Sequence, residues 1–225
     1  MPLVFCFIFL KKIKTKSLRL FFCYTISYIV FLILAGILTK IFYPSRYPYG
    51  LLLRFYVIIE YCIVSLFIRS LLSTEIFKKI IKYSIVPFIL LTITLFLLHP
   101  NKTIDSIPAI IEAFLIIVFI IFYFYEKVKT VLYYPLYRII TFWICVAFFF
   151  YFTGNFFFFI LMDSYSQKDY PKEYLLIYII VTTIKNIILC VSLFAKEPTQ
   201  ESQELQIPDD LNLDDFLPEN TKPES

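Results

Sequence analysis

The stretch Tyr174–Phe194, YLLIYIIVTTIKNIILCVSLF, decides how the rest of the chain is read. It is long and apolar enough to cross the roughly 30 Å hydrocarbon layer as a helix. Yet Lys185 and Asn186 stand at its midpoint, and it leads straight into the acidic segment Glu197–Ser225. A charge at that depth costs roughly 2.5–3.5 kcal/mol on insertion scales, so Lys185 must face protein or water and find a partner. Tyr178, Thr182, Lys185 and Asn186 fall at helical spacing and make one polar stripe.

Working outward, the chain of 225 residues is 60% hydrophobic and 17% charged, too apolar for an ordinary globular domain. Its apolar residues come in blocks of about twenty without strict alternation, which selects spanning helices over membrane β-strands. The fold class expected is all-α: a polytopic transmembrane bundle over residues 1–196, followed by a disordered acidic tail over 197–225. Full spans are expected at about Leu20–Phe42, Leu51–Leu72, Glu75–His99, Pro108–Tyr125, Tyr137–Leu161 and Tyr174–Phe194. The Pro44-Ser45-Arg46-Tyr47-Pro48-Tyr49-Gly50 turn separates the first two, Ser73-Thr74-Glu75 caps the third, and Pro87 is expected to kink it. Met1–Leu10 is apolar but makes only half a span, and its lysines follow rather than precede it. It reads as the inner half of a seventh helix, truncated or lying in the interface.

The formal charge of +4 hides an asymmetry: nine acids against Lys222 leave the tail at −8 and the preceding residues at +12. Lys and Arg near the span ends divide thirteen to six between the two faces. The richer face carries Lys11, Lys12, Lys14, Lys16 and Arg19, and the poorer one Lys40, Arg46 and Arg54. By the positive-inside rule the richer face, and the tail with it, is cytoplasmic. A basic membrane part suits anionic lipid and argues for no nucleic-acid partner. In the tail, Leu211, Leu213, Phe216 and Leu217 are interleaved with Asp214 and Asp215, a composition that folds on a protein partner or merely solubilises.

Glu60 lies near the middle of its span, at the depth of Lys185, so the two are expected to pair, and an exchange of their charges is expected to restore what either single change loses. Asn155, beside Gly154, is expected to hydrogen-bond between helices at a close approach. Arg54 and Glu112 sit near helix ends and are expected to snorkel to the interface. The five cysteines lie inside apolar blocks without metal-ligand spacing, and His99 is the sole histidine. With no phosphate loop, HExxH or G-x-S-x-G motif either, the chain is expected to be no enzyme and to need no metal or cofactor. Phe, Tyr, Ile and Lys are jointly abundant while Ala and Gly are scarce, as in a low-GC genome, so individual aromatic residues are given little functional weight.

The segments LKKIKTKSLRLFFCYTISYIV, RIITFWICVAFFFYFTGNFFFFI and IIVTTIKNIILCVSLFAK resemble an uncharacterised family of small six- or seven-helix membrane proteins of Bacteroidetes, often encoded near two-component signalling genes. The resemblance implies a bacterial inner-membrane setting and hints at signalling, and it carries over no catalytic residue. The function expected is sensory or regulatory, with the acidic tail docking a cytoplasmic protein. The alternative is a small transporter or channel using a polar site around Glu60 and Lys185.

Overall fold

The computed structural model describes residues 16–42, 47–98, 106–129, 136–163, 172–192 and 195. They form helices α1 (Lys16–Ile41), α2 (Tyr47–Leu71), α3 (Glu75–Leu98), α4 (Ser106–Lys129), α5 (Ile140–Asp163) and α6 (Lys172–Ser192), with a 3₁₀ turn at Leu136–Arg138 before α5. No strand occurs among the described residues. Helices α1 to α5 are each long and apolar enough to cross a membrane, whereas the described apolar part of α6, Leu176–Ser192, is shorter. The amino-terminal half-helix, His99 with the loop after it, and the tail cluster Leu211, Leu213, Asp214, Asp215, Phe216 and Leu217 lie outside the described residues.

Helix α2 begins at Tyr47, inside the stretch expected to be a turn. Pro48 occupies the first helical turn, where a missing N–H forfeits no intrahelical bond. Helix α3 runs unbroken past Pro87, whose exposed ring points out of the bundle. Hydroxyls inside the spans bond to their own helix: Thr25 to the Phe21 carbonyl at 3.0 Å, Thr92 to Phe88 at 2.9 Å and Thr183 to Ile179 at 2.8 Å. Back-bonding of this kind lets a polar side chain sit in hydrocarbon without an outside partner.

Successive helices run antiparallel, as ring pairs near opposite ends show. Phe21 lies 6.2 Å from Phe67 and Phe31 4.2 Å from Tyr56 across α1 and α2. Phe77 stacks on Phe122 at 4.5 Å across α3 and α4. Helix α2 is central, packing on α1, α3 and α4, while α4 packs on α5 and α5 on α6. We call the end where α1 finishes and α2 begins distal, and the opposite end proximal.

Two local features fix this arrangement. At the proximal end the Glu126 carboxylate of α4 accepts hydrogen bonds from the backbone N–H groups of Ser73 and Thr74, the latter at 3.0 Å. It thereby caps the start of α3, where the N–H groups have no helical partner and the dipole favours an anion. Between α5 and α6, a Cβ added at Gly154 would lie 2.5 and 2.6 Å from the Val181 methyl carbons. Only glycine admits that approach.

Candidate functional site

Helix α6 presents Lys185, Leu189 and Ser192 inward, and turns Ile179, Ile180, Ile184 and Ile187 outward. Its polar stripe therefore faces the bundle, as hydrocarbon requires. Lys185 is 2% exposed and Glu60 5%. Each stands thirteen residues from the distal start of its helix. At 1.5 Å per residue both lie about 20 Å from that end, so they share a layer.

The structure brings the two together without a direct ion pair among the described residues. The Lys185 ammonium donates to the Tyr24 hydroxyl at 3.4 Å, and that hydroxyl donates to Glu60 Oε1 at 3.2 Å. The expected pair is thus a relay across α6, α1 and α2, with a tyrosine as its middle member. Tyr24, 3% exposed, is buried with both charged groups and its hydroxyl is the partner they share.

The cation is also boxed by rings. Lys185 Nζ lies 4.1 Å from the centroid of Tyr151, 4.4 Å from Tyr28 and 5.7 Å from Tyr24. Ring faces carry negative potential, and within about 6 Å they attract an ammonium, most strongly where water is excluded. The box supplies what lipid cannot: ring faces of negative potential around the lysine head group. Tyr56 and Tyr151 lie beside the Glu60 carboxylate as well. Reading the sequence missed all four tyrosines. Their signal was present, since Tyr24 and Tyr28 lie one helical turn apart in mid-span, away from the interfacial belts where tyrosine is ordinarily found.

The other expected site residues fall around this core. Asn155 and Thr182 are drawn toward the same interior, yet the Asn155 Oδ1 atom is buried without a hydrogen-bond partner among the described residues. Asn155 therefore bridges no helix pair through its carbonyl oxygen. Asn186 is half-buried at the edge of the α6 inner face. Glu112, expected to snorkel, is instead 3% exposed, and Arg54 is 8% exposed with its guanidinium 4.9 Å from the Phe96 ring centroid. Both lie where α2 and α4 pack against each other.

On the proximal side the site is closed by three phenylalanines. Phe21, Phe67 and Phe148, from α1, α2 and α5, form a triangle with centroids 6.2, 6.0 and 5.8 Å apart. Phe148 also meets the Tyr24 ring edge-on at 4.9 Å, so the closure lies directly against the relay. No three His, Cys, Asp or Glu side chains gather as a metal site among the described residues.

This fold defines the class: a helical, multi-pass membrane protein with a charged network in its interior. Comparison of the chain with protein-family models, curated proteins and solved structures found no match.

Proposed function

We propose that the chain is a regulatory membrane protein of sensory type, in which the Lys185–Tyr24–Glu60 relay is the responsive element and α6 passes its state to the acidic tail. One observation supports this reading above others. The helix that leads into the tail is tied to α1 and α2 through a buried cation, so any change in the relay alters how α6 is held. In this reading six helices cross a bacterial inner membrane, or seven if the amino-terminal apolar segment completes another. The charge bias sets the tail in the cytoplasm, where Leu211, Leu213, Phe216 and Leu217 among Asp214 and Asp215 dock a protein partner.

Transport through the same cluster is the competing reading. The packed Phe21–Phe67–Phe148 triangle weighs against it, because a solute leaving the relay on the proximal side meets three rings in contact. Deleting residues 201–225 tests the proposal: cross-linked capture of the cytoplasmic partner is lost while membrane insertion is retained. Undiminished capture by the truncated protein overturns the docking role. Flux of protons or solute in vesicles reconstituted with the intact protein would establish transport instead.

A further inference from the structure

The buried polar atoms are distributed unevenly along the bundle. Glu112 Oε1, Thr153 Oγ1 and Asn155 Oδ1 are all buried and lack a hydrogen-bond partner among the described residues. They come from α4 and α5, and by residue count from the distal helix ends they occupy a layer about 9–15 Å deep. The Lys185–Tyr24–Glu60 relay begins just beneath that layer. Toward the proximal end Ser65 Oγ is the single comparable atom among the described residues, and the interior there is otherwise filled by side chains such as Phe21, Phe67, Ile68, Ile144 and Phe148, all at most 2% exposed.

Hydroxyl chemistry sharpens the contrast. Thr25, Thr92 and Thr183 satisfy themselves on their own helices, so an intramembrane threonine in this protein does not lack the means. Thr153 does not use it, and its oxygen is buried without a partner among the described residues. Buried polar groups are almost always hydrogen-bonded, and where protein supplies no partner, bound water does. A small cleft lined by Leu53, Arg54, Val57, Thr92, Pro108 and Phe159, from α2, α3, α4 and α5, lies in the same distal half and has room for about one water molecule.

We infer that the distal half of the bundle is a narrow vestibule holding a few bound waters, with the Arg54–Thr92 cleft as its entry, that hydrates the Lys185–Tyr24–Glu60 relay from one membrane face alone. The phenylalanine triangle is its floor. Calling the open face external rests on the orientation proposed above; the vestibule itself rests on geometry alone.

Single cysteines test it in a background where the native cysteines are replaced by serine or alanine. Thr153→Cys and Asn155→Cys stand in the vestibule, and Ile144→Cys and Phe148→Cys in the floor. Lys40→Cys and Arg19→Cys report the distal and proximal faces. With a small, membrane-impermeant cationic thiol reagent, the vestibule positions should react at least about tenfold faster than the floor positions, and only from the face on which Lys40→Cys reacts. Reaction as slow as that of Phe148→Cys, or from the Arg19→Cys face, overturns the inference. Hydroxyl-radical footprinting of the unsubstituted protein gives a second reading that no variant's misfolding can spoil. Oxidation of Tyr56 well above that of Phe21 and Phe148 is expected, and equal protection of all three counts against bound water. Both experiments are blind to the tail, so failure here and failure of partner capture are separately visible.

Discussion

The Lys185 ammonium faces three tyrosine rings and reaches Glu60 only through the Tyr24 hydroxyl. That geometry reverses an expectation drawn from charge alone. Exchanging the charges with Glu60→Lys and Lys185→Glu would set a carboxylate against ring faces of negative potential. The double exchange should therefore fail to restore the thermal stability lost by Lys185→Glu, as measured in detergent. Tyr24→Phe keeps the ring and removes the bridge, leaving a buried carboxylate short of a donor; a loss of roughly 1–3 kcal/mol in unfolding free energy is expected. A melting curve for Tyr24→Phe indistinguishable from the parent would mean that the bridge contributes nothing. Lys185 and Glu60 were legible in the sequence because a charge in an apolar run is conspicuous. The tyrosines carried a weaker signal, the mid-span Tyr24–Tyr28 spacing, which in a chain of 18 Tyr and 27 Phe is not singled out until packing selects it.

Helix positions were mostly readable from apolar run length, but the junctions depend on side chains remote in sequence. Glu126 caps α3 from the far end of α4, a partnership that Ser73-Thr74-Glu75 does not announce. Glu126→Ala should cost about 1–2 kcal/mol and speed hydrogen exchange at the Ser73 and Thr74 amides; unchanged exchange would show that the cap is idle. Between α5 and α6 the outcome hinges on Gly154 and Val181, whose contact leaves no room for a Cβ. Gly154→Ala should destabilise by about 1–3 kcal/mol, as overpacking does, and Val181→Ala in the same chain should recover much of the loss. Lack of recovery would mean that the helices are held apart elsewhere. Gly154 itself was visible in the sequence as a point of close approach, whereas its partner on α6 was not, since several valines and isoleucines there are equivalent until the helices dock.

As a whole the molecule is a bundle with two unlike halves, a polar distal interior above a ring-sealed proximal one, and a charged relay at their boundary. Hydropathy could not reveal this, because it averages over the circumference of each helix while the asymmetry lies in which faces turn inward. The relay draws on α1, α2 and α6, and of these only α1 and α2 pack closely along their backbones. Lys185 is accordingly a principal tie of the last helix to the first two, beside Tyr178, which meets Tyr28 of α1. A double-mutant cycle of Glu60→Gln and Lys185→Met, read as unfolding free energies in one detergent, tests that claim most directly. The two losses should be non-additive, with a coupling of about 0.5–3 kcal/mol. Additive losses would contradict it, since they would mean that Glu60 and Lys185 stand in one layer without being joined.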